Sequence, residues 1–171
     1  MEDAVKLVAE LMAISARTAP KAVGKDFIDI KVVNGDDLKI LGESMLSLAK
    51  EREAPNFERD GNNVLKSDAV LLLGLRDHPA IGLNCGACGF DCKEFNKQEK
   101  TIDFDGPNCV YRVLDLGIAI GSAVKTASLM NVDNRVMYRI GVAAKQTGMM
   151  DSQVIMGIPL SATGKSIYFD R

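Results

Sequence analysis

The stretch Ala69-Val70-Leu71-Leu72-Leu73-Gly74-Leu75 carries no polar side chain in seven residues. It has the length of a strand, and a continuous apolar run of that length fits a central strand buried on both faces. Arg76-Asp77-His78-Pro79 closes it. A strand of this kind needs cover on each side, and the flanking sequence supplies candidates.

Upstream, residues 3–16 place Val5, Val8, Leu11, Met12 and Ile14 near a helical period, and Pro20 ends that helix by disfavouring helical backbone in the residue before it. A loop over Lys21–Lys25 precedes an alternating run from Asp26 to Val33, read as a partly buried strand. Asn34-Gly35-Asp36 is a turn, and Asp36 or Asp37 caps a second helix to about Glu53, with Leu38, Leu41, Met45, Leu48 and Ala49 inward. Residues 54–67 are polar and read as irregular, with room for a short helix around Val64.

Downstream, Lys93 to Asp105 reads as a charged connector with a short extended piece at Thr101–Phe104. From Asn108 apolar residues recur at three and four (Val110, Val113, Leu114, Gly117, Ile118, Val124 and Leu129), which predicts a long, mostly buried helix. Gly117 and Gly121 on one side would admit another helix closely, either within the chain or in a dimer. Asn131–Arg135 breaks that helix, as a capped turn or as a pocket wall. A helix over Arg135–Thr147, a strand over Gln153–Leu160, a loop over Ser161–Lys165 and a final short strand over Ser166–Asp170 complete the reading.

All four cysteines fall between the central strand and the long helix, as Cys85, Cys88, Cys92 and Cys109, with spacing C-x2-C-x3-C-x16-C. Thiolates bind soft or borderline metals, and four around one point suit an iron–sulfur cluster or a tetrahedral zinc. The compact triplet with a remote fourth cysteine favours a [4Fe–4S] cluster, since structural zinc sites usually present two C-x2-C knuckles. Cys109 opens the long helix, whose positive end favours a thiolate or an anionic cluster. Asp91 and Glu94 add negative charge beside the triplet. A Cys85–Cys88 redox pair would leave Cys92 and Cys109 without a role. The lone His78, close to the cysteine loop in sequence, could tune or ligate a metal, but a surface turn residue is the preferred reading.

The 171 residues suit one domain, 1–171, with the cysteine segment at about 82–110 inside it. Net charge is −2, which gives no basic surface for nucleic acid, and tryptophan is absent. Neither a signal peptide nor a membrane span is read, so the cytoplasm is the expected location. No Walker or dinucleotide fingerprint and no hydrolytic triad is present.

Two resemblances add to this. Cys85-Gly-Ala-Cys88-Gly-Phe-Asp-Cys92, Gly106-Pro-Asn-Cys109, Asp115–Val124 and Asn131–Arg135, in that order, resemble a prokaryotic family described as containing a ferredoxin domain. That resemblance implies iron–sulfur chemistry. Ala16-Arg-Thr-Ala-Pro-Lys-Ala22 after the first helix, the long helix at 108–130 and the closing Val154–Lys165 stretch look like nitroreductase-like flavoproteins. This second resemblance implies an α+β fold: a small central sheet flanked by helices, with the four-cysteine loop inserted before a long buried helix. It also implies a homodimer binding FMN at the subunit interface. Arg17, Asn131 and Lys165 are then expected near the flavin or a small substrate. The Arg-rich phosphate-binding segment of such proteins is not found ahead of the first helix, and Arg17, Lys21, Lys25, Lys165 and Arg171 are the basic residues expected to compensate. Together these readings predict an iron–sulfur redox protein acting with an electron donor or acceptor, as an oxidoreductase or an electron carrier. The alternative is a non-enzymatic protein with a structural or sensory zinc or iron–sulfur centre.

Overall fold

A computed structural model describes residues 1–169. In chain order the elements are α1 (Glu2–Thr18), β1 (Ile28–Val33), α2 (Gly35–Glu51), α3 (Pro55–Leu65), β2 (Ala69–Leu75), α4 (Cys92–Phe95), β3 (Lys100–Thr101), β4 (Asp105–Gly106), α5 (Val110–Leu129), β5 (Asp133–Asn134), α6 (Tyr138–Gln146) and β6 (Val154–Ser161). The main sheet has the order β1-β2-β6-β5, antiparallel throughout, and β3 pairs with β4 in a small hairpin. This is the expected α+β arrangement, a small sheet flanked by helices.

β2 lies between β1 and β6, and every residue in it is buried. Successive side chains of a strand point to opposite faces. Ala69, Leu71, Leu73 and Leu75 therefore join α1 and α5, packing with Val5, Ala9, Met12, Leu116, Ala119 and Ala123. Val70 and Leu72 face the other way, toward Leu41, Met45 and Leu48 of α2 and Ile140 of α6. A run without polar residues is what two covered faces require, whatever the direction of the neighbouring strands.

The structure revises the reading of residues 54–67, which form the eleven-residue helix α3. Pro55 opens it at a position where a missing N–H costs nothing. Its buried face is Phe57, Asp60, Gly61 and Val64. Gly61 and Gly42 let α3 and α2 touch: a Cβ at Gly61 would stand 3.2 Å from the Gly42 carbonyl oxygen. Asp60 is buried and accepts from Arg59 and Arg139.

α5 is buried on one face only. Arg112, Asp115, Leu116, Ala119, Ala123 and Ala127 point inward, while Val113, Leu114, Ile118 and Leu129 are exposed. A Cβ at Gly117 or Gly121 would meet nothing within 4 Å, so this glycine pair does not serve helix packing within the chain. The helix expected from Arg135 begins at Tyr138, because Met137 exchanges both backbone hydrogen bonds with Gly157 of β6. At α2 the cap position is Asn34, without a side-chain cap hydrogen bond, so neither Asp36 nor Asp37 caps it. No strand forms over 166–169, and Asp170 and Arg171 lie outside the described residues. Among the described residues no helix is long and apolar enough to cross a membrane.

α6 sits directly on β6 at Gly141, where an added Cβ would collide with the Ile155 carbonyl oxygen. Backbone cannot yield there as a flexible side chain would. Gly141→Ala is therefore expected to cost at least the upper end of the ~1–3 kcal/mol seen for overpacking, with Tm falling about 2–4 °C per kcal/mol. A thermal melt with unchanged Tm would contradict this seating of α6.

Candidate metal centre

β2 delivers the chain to one end of the sheet. Just past it, Arg76 N–H still donates to Phe27 O (2.9 Å) and Gln153 N–H to Leu75 O (2.8 Å). His78 then turns inward. It is 6% exposed, contrary to its reading as a surface turn residue. Its ring lies between Phe27 and Phe95, with centroids 6.3 Å from each. Nδ1 is 2.9 Å from Arg76 O, and Nε2 is 3.2 Å from the Cys109 backbone nitrogen. Burial pushes the imidazole below its ordinary pKa, and the nearby Arg112 charge acts in the same direction.

The next segment wraps around the thiols. Gly86 and Gly89, at φ 68° and 88°, make the turn Gly89 N–H to Gly86 O (2.9 Å), a backbone path that favours glycine. Asn84 donates its N–H to Cys92 Sγ (3.3 Å) and accepts the Cys92 N–H at its Oδ1 (3.0 Å). Asp91 Oδ1 accepts from Lys93 N–H and Glu94 N–H and so caps α4, while Glu94 pairs with Lys97 at 2.9 Å. The two acids beside the triplet are thus partly engaged locally. All four cysteines are free thiols, graded from exposed Cys85 to buried Cys109.

Cys109 is the N-cap of α5. The four cysteines, with Ile81, Leu83, Phe90, Val110 and Tyr111, line one small cavity of about 10 Å³. Cysteines distant in sequence thereby share the wall of one cavity. The cavity has room for about one water, so a larger group needs the loop to open. Cys85 is exposed, and added Cβ atoms at Gly82, Gly86 or Gly89 would meet nothing, so the loop has space to move outward. Among the described residues no group of three or more His, Cys, Asp or Glu side chains is gathered tightly enough to hold a single metal ion.

Behind Cys109 lies a feature that the sequence reading missed. Arg112 and Asp115 are both buried and pair at 3.2 Å. Arg112 Nη1 also donates to Ala22 O and Lys25 O, Asp115 Oδ1 accepts the Ala22 N–H at 2.7 Å, and the guanidinium lies 4.6 Å from the Phe27 ring centroid. The pair clamps the turn after α1 onto the first turns of α5. Opposite charges three apart inside an otherwise apolar helix were the available signal.

The three residues expected at a flavin are not brought together within the chain. Arg17 donates to Asp26 Oδ2 (2.7 Å) and Ile28 O (2.9 Å), at the sheet end where Ile28 aligns with Leu75 and Leu75 with Val154. Asn131 follows α5 at the other end, where Asp133 aligns with Ser161. Lys165 is exposed there, in a groove with Arg59, Asn63 and Lys66. Seven strand steps of β6 separate the two ends, roughly 20 Å.

Residues 105–171 match a family model described as "Uncharacterized protein containing a ferredoxin domain (DUF2148)". A protein of Archaeoglobus fulgidus, itself described as uncharacterized, is 50% identical over 171 residues, covering 99% of this chain and 92% of that one. The chain belongs to this ferredoxin-domain family. Its matched segment contains Cys109 and α5, and the cysteine triplet lies just ahead of it.

Solved structures identify the fold as nitroreductase-like. The nitroreductase CinD from Lactococcus lactis, in complex with chloramphenicol, superposes with a TM-score of 0.64 at 13% identity, over 94% of this chain and 79% of that one. A nitroreductase-like protein from Bacillus cereus gives 0.62 at 13% identity, over 94% and 76%. A putative nitroreductase from Desulfovibrio desulfuricans, solved with FMN, gives 0.59 at 14%, over 94% and 75%. At these identities the likeness is one of fold.

Asp115→Asn in this ferredoxin-domain protein would leave the Arg112 guanidinium buried beside a neutral amide. Breaking a buried pair by neutralising one partner typically costs about 3–5 kcal/mol. Urea denaturation is expected to show a loss of that order, and a loss below about 1 kcal/mol would mean that the pair does not hold the turn after α1.

Proposed function

We propose that this chain is an iron–sulfur redox protein in which Cys85, Cys88, Cys92 and Cys109 ligate one [4Fe–4S] cluster. The observation that carries this reading is that all four cysteines of the chain, one of them outside the triplet, line a single cavity. The family description supports iron–sulfur chemistry. The donor set fits, because four soft thiolates suit iron–sulfur or zinc. The C-x2-C-x3-C spacing favours the cluster over zinc.

When bound, the cluster supplies a one-electron carrier. The protein supplies the rest. Cys109 is fixed at the start of a twenty-residue helix, whose first N–H groups and positive dipole end favour negative charge at the thiols. Ile81, Leu83, Phe90 and Tyr111 add apolar side chains to the lining around the cysteines. The exposed side of the loop, at Cys85, is the approach for an electron donor or acceptor.

The role follows as electron transfer or reduction of a small molecule. A homodimer belongs to the same reading, supported by the exposed apolar face of α5 with Gly117 and Gly121 open beside it. Arg17, Asn131 and Lys165 do not make one flavin site in a single chain, and Arg17 is engaged by Asp26, so an FMN site built from them would draw on both subunits. No step is assigned through a flavin.

Single Cys→Ser variants test the ligand set. After anaerobic reconstitution with iron and sulfide, each of the four is expected to lose most of the visible cluster absorption. Cys109→Ser should lose it as fully as Cys85→Ser. Full cluster content in Cys109→Ser would remove the fourth ligand from the proposal.

A further inference from the structure

We propose that His78 is a positioning residue for the fourth cysteine: its imidazole fixes the Cys109 backbone, and with it the direction from which the buried thiol meets the other three. This rests on the iron–sulfur reading above.

The geometry assigns the tautomer. Arg76 O, 2.9 Å from Nδ1, can only accept, so Nδ1 carries the proton. Nε2 is then bare, and it accepts the Cys109 N–H at 3.2 Å. Both ring nitrogens are engaged by backbone, and Phe27 and Phe95 hold the ring between them. Arg76 is itself paired to Phe27 through its N–H. The imidazole is therefore a rigid spacer from the end of β2 to the start of α5.

Cys109 is buried, and its N–H precedes the helix, so it has no partner along the chain in the helical direction. A buried donor left unmade costs about 1–3 kcal/mol, which is what His78 averts. The bond also spends this amide, turning it toward the ring. The N–H groups of Val110 and Tyr111, residues that line the thiol cavity, have no intrahelical acceptor at this helix end. Groups that orient a metal ligand are typically worth about 10–100-fold in affinity when removed.

The test compares wild type, His78→Phe and His78→Gln after anaerobic reconstitution with iron and sulfide, with far-UV circular dichroism to verify the fold. Phe keeps the packing and loses both hydrogen bonds, whereas Gln offers one donor and one acceptor. His78→Phe is expected to release iron to a chelator about 10–100-fold faster than wild type and to show a shifted reduction potential, with His78→Gln restoring both toward wild type. Phe matching wild type in rate and potential, or Gln failing as badly as Phe, would overturn the proposal. Ring ¹⁵N shifts of His78 in the wild-type protein test it without any variant. The neutral Nδ1–H tautomer is expected at pH 7.5, and an Nε2–H tautomer would overturn it. A wild-type protein that shows the expected tautomer but takes up no cluster would fail the iron–sulfur reading. A loaded wild type with an indifferent Phe variant would fail His78 alone.

Discussion

A strand with no polar side chain has to be covered on both faces, and the placement of most other elements follows from that constraint. Leu71 and Leu73 need α1 and α5, while Val70 and Leu72 need α2 and α6. Fully burying a leucine or valine side chain contributes about 1.5–3 kcal/mol, so β2 alone ties both helical layers to the sheet more strongly than any surface ion pair, worth about 0–1 kcal/mol, could. The same strand fixes where the cysteines go. Its exit at Leu75 and the start of α5 meet at one end of the sheet, and His78 bridges them.

Two kinds of order adjoin at that end. Arg112 and Asp115 are themselves buried, and three hydrogen bonds from them hold the turn after α1. A buried pair is weak evidence of net stability, because desolvation consumes much of the Coulomb gain. Its effect here is to specify one position for α5 against α1. The loop carrying Cys85, Cys88 and Cys92 is the opposite case: much of it is exposed, it turns on glycines, and few long-range bonds hold it. Segments of this kind open at low free-energy cost. A fixed Cys109 facing a more exposed triplet would, on the proposed reading, suit taking in a group larger than the cavity now enclosed.

The elements legible in the sequence were those whose signal is local. β2 was evident from its unbroken apolar run, α1 from its periodicity and the cysteine set from its spacing. What escaped was set by tertiary contact. α3 hides because two of its four buried positions are Asp60 and Gly61, which no apolar count registers. His78 is a single residue whose burial depends on Phe27 and Phe95, distant in the chain. The burial of α5 was overestimated because composition measures how apolar a helix is, not how much of it the same chain covers. Arg17, Asn131 and Lys165 were grouped by fold resemblance, and the sheet register puts Arg17 at the opposite end from the other two. Arg112 and Asp115 were readable, since charges inside an apolar helix call for a partner.

The central claim is that four thiols facing one cavity hold an iron–sulfur cluster. Iron, acid-labile sulfide and zinc analysis of the protein purified without oxygen tests it most directly. The account predicts about four irons and four sulfides per chain with negligible zinc. About one zinc per chain with no sulfide would contradict it and leave a zinc-stabilised fold in place of a redox centre.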